Sequence, residues 1–313
     1  MDISVILPTY KRSKILTKTL EDFCKLNTDG LIWELIIVDN ADDPATQNVV
    51  KEYEKRLPIK FLVETKPGKN NALNSAIPEA KGDLFVFTDD DVTPDKEWLQ
   101  KIVRATARWP DVRVFGGRVE PIFPHNVSDR ITNAAFSGYV FGQYHPYKNE
   151  GICNETTPSG ANCWLRREIF DAGLRYDPSI GPDGSHANRK KSGSELEFFE
   201  RLLNAGEKIV YVPTALVFHN IQRHQTTYRY LLKRAYAGGR GWARIYDSWH
   251  GCKKIGGIPI FLFKKMLEEA GTSFSYFLKG QNYLEPLMQL LQSVGTAVEY
   301  RKMHRERRHG SKK

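Results

Sequence analysis

Over the first 120 positions, short β-branched and aromatic runs alternate with longer stretches whose apolar residues recur at helical spacing. Ile3–Leu7, Glu34–Val38, Lys60–Val63 and Asp83–Thr88 read as strands, followed by a weaker run at Arg113–Val119. Between them, Ser13–Leu26, Pro44–Arg56, Asn70–Ala80 and Asp95–Trp109 predict helices. Ser13 is placed to cap the first, and Pro44 and Pro94 to open two others. Strand–helix alternation at this spacing predicts an α/β fold whose parallel sheet is built by right-handed crossovers and covered by helices. Ligands of such sheets bind beyond the carboxyl ends of the strands. Polar clusters stand at those ends: Pro8-Thr9-Tyr10, Asp39-Asn40 and Asp89-Asp90-Asp91.

The pattern then changes. Glu120–Thr157 is aromatic and irregular (Phe123, Phe136, Tyr139, Phe141, Tyr144, Tyr147), and Gly181–Gly193 reads as a Gly/Ser/Asn/Lys loop suited to act as a lid. A helix at Glu195–Asn204, ended by Gly206, precedes strands at Lys208–Val212 and Ala215–Phe218. Beyond His219 the spacing is helical, at Tyr228–Ile245, Pro259–Glu269 and Leu284–Arg305. The expected organisation is an α/β domain over 1–220, with halves at about 1–118 and 119–220. A helical extension with a basic tail follows over 221–313.

Composition narrows the class. With 41% hydrophobic and 27% charged residues the chain can bury a core, which excludes a disordered protein or a small disulfide scaffold. The net charge of +9 suggests an anionic partner: nucleic acid, acidic lipid or a nucleotide. However, Arg301–Lys313 holds seven Lys and Arg against one Glu, so the excess belongs mostly to the tail. Cys24, Cys153, Cys163 and Cys252 are scattered without a CxxC pair and read as free thiols. Asn126 and Asn154 match a glycosylation acceptor pattern but follow no secretory signal. No run of 18 apolar residues occurs, so the expected location is the cytoplasm.

The chemistry concentrates in Phe85-Val-Phe-Thr-Asp-Asp-Asp91. Three adjacent carboxylates after an apolar strand repel one another, and a hard cation such as Mg²⁺ or Mn²⁺, shared with phosphate oxygens, relieves the conflict. In an extended chain Asp89 and Asp91 share one side and Asp90 points away. The competing reading is a solvated loop that caps the following helix.

Ser4-Val-Ile-Leu-Pro-Thr-Tyr10, Ile36-Ile-Val-Asp-Asn40, Pro67-Gly-Lys-Asn-Asn-Ala-Leu-Asn74 with Ala80-Lys-Gly-Asp83, Asp89-Asp-Asp91, Ser159-Gly-Ala-Asn-Cys-Trp-Leu-Arg-Arg167 and Ser194-Glu-Leu-Glu-Phe-Phe-Glu-Arg-Leu-Leu-Asn-Ala-Gly206 follow one another in a familiar order. Over about residues 1–220 the chain resembles the family 2 glycosyltransferases, inverting enzymes of the GT-A fold that use nucleotide-diphosphate sugars. That resemblance implies a Rossmann-like mixed sheet, a divalent metal and a donor that is commonly a UDP-sugar. Pro8, Thr9, Tyr10 and Asp39 would then face the base and ribose. Asp89 and Asp90 would lie by the ribose and diphosphate, and Arg12, Lys66, Lys69 and Asn70 around the phosphates. Asp91 would bind the metal, with His219 either its second ligand or simply a residue closing the last strand.

The same resemblance puts the catalytic base at the start of the helix ending in Ala205-Gly206. A Glu-Asp pair is usual there, and this chain has Ser194-Glu195 instead. Glu195 is therefore the expected base and Glu197 the runner-up. Ser194 also suits an N-cap, with Glu197 closing a capping box. Gly160, Ala161 and Asn162 would leave room for the sugar, and the aromatic stretch would help form the acceptor site or simply fill a subdomain core. The acceptor implied is a glycan or lipid-linked saccharide. Tyr228–Arg240, Ile258–Leu267 and the basic tail suit an anionic membrane surface on its cytoplasmic side, or else a helical subdomain packed on the core. A nucleotidyltransferase is disfavoured because Pro8-Thr-Tyr-Lys-Arg12 lacks the glycines of a phosphate loop. A nucleic-acid-binding protein is suggested only by the basic charge.

Overall fold

The computed structural model describes residues 2–132, 137–181, 193–245 and 252–310. One compact unit contains β1 (Ile3–Thr9), α1 (Ser13–Phe23), β2 (Trp33–Asp39), α2 (Pro44–Tyr53), β3 (Ile59–Val63), α3 (Lys69–Ala76), β4 (Leu84–Phe87), β5 (Val92–Pro94), α4 (Trp98–Arg108) and β6 (Val114–Ile122). Short helices α5 (Asp129–Thr132) and α6 (Ser137–Phe141) come next in the chain. The same unit resumes with β7 (Gly151–Ile152), β8 (Cys163–Arg166), α7 (Glu168–Asp171), α8 (Ser194–Asn204) and β9 (Ile209–Asn220).

Its sheet runs β3-β2-β1-β4-β8-β6-β9-β5, with β7 also paired to β9. The β3-β2-β1-β4 half is parallel. Beyond it β8 enters antiparallel to both β4 and β6, so the sheet is mixed. Alternation along each strand feeds two cores. Val5 and Leu7 of β1 pack with Leu16 and Leu20 of α1 and Trp98 and Ile102 of α4, while Ile6 packs with Leu73 of α3 and Phe198 and Leu202 of α8. All of these side chains are almost completely buried, each contributing about 1.5–3 kcal/mol by leaving water.

Three sequence expectations change here. Pro94 does not open a helix: it ends β5, the edge strand opposite Val217, where its missing N–H costs no ladder bond. The helix waits until Trp98. Cys163–Arg166, buried on both faces and lacking polar alternation, forms a strand that periodicity did not reveal. The two strands expected around 208–218 are a single strand whose register slips between Gly117 and Arg118 of β6, accommodating Pro213–Ala215.

A second unit is helical and includes the described parts of 123–140 together with 222–310. It holds α9 (Tyr228–Ile245), a small hairpin of β10 (Lys254–Ile255) and β11 (Ile258–Pro259), α10 (Ile260–Leu278) and α11 (Leu284–Gly310). Helix α10 extends nine residues beyond the expected Glu269. Glycines let α9 and α11 touch backbone to backbone, since a Cβ on Gly239 would lie 1.8 Å from the Gln292 carbonyl oxygen. Among the described residues no helix is long and apolar enough to cross a membrane. All four cysteines are free.

Candidate active site

The acidic triplet follows β4 in a turn rather than an extended strand, so the expected alternation of side chains fails. Asp90 and Asp91 both reach Arg12, through contacts of 2.6 and 2.7 Å, and Asp90 also accepts the Thr9 hydroxyl at 2.6 Å. Asp89 goes elsewhere, accepting from Lys69 Nζ at 2.6 Å. The turn is pinned from below, where the Thr19 hydroxyl donates to the Asp90 carbonyl.

Burial opposes charge on both Asp90 and Asp91. For Asp90 burial prevails over Arg12 and its pKa is raised. For Asp91 the contacts with His219 and Arg12 outweigh burial and hold it well below the usual range. His219 Nε2 lies 3.4 Å from Asp91, and Nδ1 donates to the Phe141 carbonyl at 2.6 Å, so the ring faces the carboxylate with an N–H only as the imidazolium, protonated at both nitrogens. Burial lowers the pKa of His219, but Asp91 more than restores it. The Phe141 carbonyl carries no signal in the sequence, because any residue has one.

Lys69, in the first turn of α3, is the junction of the site. Its ammonium also donates to Glu195 Oε1 at 2.8 Å, bridging the acidic turn to the start of α8. Desolvation works against the charged lysine, but Asp89 and Glu195 together raise its pKa. Burial likewise disfavours the Glu195 carboxylate, yet Lys69, helped by the Ser194 hydroxyl at 2.8 Å, brings it down to about 2. Ser194 thus supports Glu195, and the expected capping box is not made: Glu197 pairs instead with Arg201 at 2.5 Å one turn on. Two positions apart on one helix, Glu195 and the runner-up Glu197 do not share a face. Gly160 closes the other side, where a Cβ would stand 2.4 Å from Glu195 Oε1, so only glycine lets the carboxylate lie there.

The remaining expected residues divide into site-facing and framework positions. Asp39 is fully buried and accepts the Ala41 and Asp43 backbone N–H groups; burial raises its pKa against those bonds. Thr9 sits opposite Asp39 in the β1–β2 register, with Pro8 opposite Val38. Tyr10 lies under the Lys11 ammonium, which is 5.6 Å from its ring centre. Lys66 is exposed, its backbone held by Glu64 and Asn40. Asn70 is buried and donates to the Asp177 and Ile180 carbonyls, while its own carbonyl oxygen has no partner among the described residues. Asn162 is saturated, donating to Arg118 and Ala215 and accepting from Trp98 Nε1, so its amide ties β6, β9 and α4 together. Ala161, nearly buried, accepts the Thr88 hydroxyl. Of the proposed lid, 182–192 lies outside the described residues, as does Phe136 of the aromatic stretch. Tyr144 of that stretch is a core residue, stacked edge-on to Tyr211.

The sequence profile of the glycosyl transferase family 2 matches residues 4–174, from β1 through α7. The chain belongs to glycosyl transferase family 2. Among relatives, this glycosyltransferase is 27% identical over 219 residues to a dolichyl N-acetyl-α-D-glucosaminyl phosphate 3-β-D-2,3-diacetamido-2,3-dideoxy-β-D-glucuronosyltransferase of Methanococcus voltae. The match spans 67% of this chain and 64% of the relative. Its fold is similar to that of the mannosyltransferase PcManGT of Pyrobaculum calidifontis, solved with GDP-Man and Mn²⁺. There the TM-score is 0.62 at 15% identity, over 95% of this chain and 86% of that one. It is also similar to TarS residues 1–349 of S. aureus with UDP-GlcNAc, where the TM-score is 0.53 at 16% identity, over 99% and 92% of the two chains. The mixed sheet flanked by helices is thus the GT-A arrangement, followed by helices at the C-terminal end.

Proposed function

We propose that this glycosyltransferase is an inverting, metal-dependent enzyme that moves a sugar from a nucleotide-diphosphate sugar, a UDP-sugar by preference, to a glycan or lipid-linked saccharide in the assembly of cell-surface polysaccharide. One observation carries the reading. A single lysine ammonium joins Asp89, on the acidic turn, to Glu195, a carboxylate lodged against the bare backbone of Gly160. Donor-side acid and prospective base are therefore one side chain apart. Further support comes from relatives: one TarS structure holds UDP-GlcNAc, PcManGT holds GDP-Man with Mn²⁺, and the Methanococcus relative is named for a dolichyl-linked acceptor.

In this reading Pro8, Thr9, Tyr10 and Asp39 receive the nucleoside at the ends of β1 and β2. Arg12, Lys66 and Lys69 supply positive charge to the diphosphate. Asn70 holds the 177–180 loop beside them, Gly160 and Ala161 keep the sugar's side of the pocket free of bulk, and the buried Asn162 amide braces β6 and β9. An acceptor hydroxyl attacks the anomeric carbon while the bond to the nucleotide diphosphate breaks, and Glu195 takes the hydroxyl proton as the new glycosidic bond forms. A carboxylate held at about 2 is a weak base. A diphosphate drawing Lys69 toward itself would release Glu195 and let burial raise its basicity.

Asp91 and His219 would hold the cation. Among the described residues no cluster of three or more His, Cys, Asp and Glu could bind a metal, so these two suit an ion completed by phosphate oxygens and water, the habit of Mg²⁺ and Mn²⁺. Bound there, the ion would neutralise charge developing on the leaving diphosphate. Work on the inner face of a membrane fits a lipid-linked acceptor, and nucleic acid has no part in the scheme.

Thermal stabilisation by a panel of UDP-, GDP- and dTDP-sugars, with and without MnCl₂, tests the donor assignment. The expected outcome is metal-dependent stabilisation greatest for a UDP-sugar, with Glu195→Gln binding donor normally and failing to transfer. Full turnover by Glu195→Gln rejects the assigned base.

A further inference from the structure

Helix α10 is apolar on the wrong side. Its inner face packs in the ordinary way: Leu262 is buried with Ala243, Ala297 and Tyr300, and Met266 lies against them. The outer face of such a helix is normally polar. Here Ile260, Phe263, Leu267, Phe274 and Leu278, spaced three, four, seven and four residues apart, stand on one side of the helix and open to solvent. Leu267 is 75%, Phe274 63% and Leu278 67% exposed. The stripe runs the length of a 19-residue helix, about 27 Å at 1.5 Å per residue. Scattered exposed leucines need no explanation, but a continuous row of five large side chains does.

Basic groups frame the row. Lys264 flanks it with a side chain 82% exposed, 3.7 Å from the also exposed Glu268, and Lys279 follows its carboxyl end. At the amino end the Ile260 N–H donates to the Lys253 carbonyl, and Lys254 pairs with Pro259 across the hairpin. Gly257 of that hairpin lies against His304, which brings the Arg301–Arg308 turns of α11 to the same end. From Lys253 to Arg308 there are ten Lys and Arg against five Glu.

We infer that α10 is a docking helix that lies in the surface of an anionic lipid bilayer, with the Ile260–Leu278 stripe entering the acyl boundary and the surrounding lysines and arginines meeting lipid phosphates. An apolar face bordered by cations is the pattern of an interfacial helix. It is too interrupted by charge to span. A second copy of the chain is a poorer occupant, because pairing two such stripes would bring like-charged borders together. The inference deepens the membrane placement proposed above and is independent of the sugar chemistry.

The test is flotation of the full chain with phosphatidylcholine vesicles, with and without 30% phosphatidylglycerol, at low salt and at 0.5 M NaCl. The wild-type chain should float with the anionic vesicles, and 0.5 M NaCl should weaken that binding. Leu267→Glu with Phe274→Glu should lower the bound fraction about tenfold or more while leaving the melting curve unchanged, since both side chains are exposed. Lys264→Glu with Lys279→Glu should weaken binding to anionic vesicles only. If the Leu267/Phe274 variant floats as the wild type does, the stripe is not the contact, although membrane placement stands. A wild-type chain that binds no vesicle overturns both, and a dimer broken by the same pair of substitutions assigns the stripe to a second copy.

Discussion

Lys69→Met removes a cation shared by Asp89 and Glu195 while keeping the bulk of the side chain. Both the lysine and Glu195 are largely enclosed, 18% and 27% exposed, so their attraction is weakly screened. The fall of Glu195 from its ordinary 4.5 to about 2 corresponds to about 3 kcal/mol favouring the charged folded state at neutral pH. Because the folded value is the lower one, that stability is complete above about pH 4.5 and disappears as pH falls toward 2. At pH 7 the variant should therefore lose about 3 kcal/mol, a melting-point drop of roughly 6–12 °C for a unit of this size. Glu195→Gln in the Lys69→Met background should cost little more, because no unpaired carboxylate then remains at that position. A double-mutant cycle by urea unfolding should return a coupling of about 2–3 kcal/mol. Additive losses would show that the two side chains do not depend on each other, and would remove the observation on which the proposed function rests.

Gly160→Ala should lower transfer about tenfold or more with donor binding retained, since its methyl group would stand where the Glu195 carboxylate lies; steady-state kinetics beside calorimetry of UDP separates the two. Gly239→Ala should destabilise the helical unit by about 1–3 kcal/mol, because its Cβ meets the backbone of Gln292 rather than a movable side chain; chemical denaturation measures it. Glu299 is fully buried between Arg240 and Arg244, at 2.7 and 2.5 Å. Burial disfavours its charge, but the two guanidiniums hold its pKa below the ordinary carboxylate value. Glu299→Gln should cost about 3–5 kcal/mol at pH 7 and progressively less below pH 4, again read by denaturation.

Much of the α/β unit was legible because its determinants are local. Apolar runs ending in polar clusters located β1, β2 and β4, and the carboxyl-end rule placed Thr9, Asp39 and Asp89–Asp91 together from the chain's pattern alone. What stayed hidden depends on partners distant in the chain. β8 is buried between β4 and β6, so no polar alternation marks it. Pro94 looks the same before a helix as in an edge strand, and only its pairing to Val217 decides which it is. Lys69 stands out in the sequence by its charge alone; its grip on Glu195, 126 residues away, arises from packing α3 and α8 on one face of the sheet. Asn162 reads in the sequence as one of the residues leaving room for the sugar, and local sequence cannot show that three other elements consume its hydrogen bonds.

Charge balance gives the metal proposal its sharpest form. Asp89, Asp90, Asp91 and Glu195 face two permanent cations, Arg12 and Lys69, and His219. The group is already short of positive charge, which agrees with the raised pKa of Asp90. A nucleotide diphosphate adds further negative charge to the same place, and Arg12 and Lys69 can turn to it only by leaving carboxylates behind. A divalent ion on Asp91 would correct that deficit. Asp91→Asn should therefore act in two opposite ways on UDP affinity measured by calorimetry. The gain on adding MnCl₂ should vanish, because the ligand is lost, while metal-free affinity should rise a few fold, because one negative charge is gone. An unchanged gain with MnCl₂ would place the ion elsewhere. A fall in metal-free affinity would mean that Asp91 serves the nucleotide through Arg12 and not through a metal.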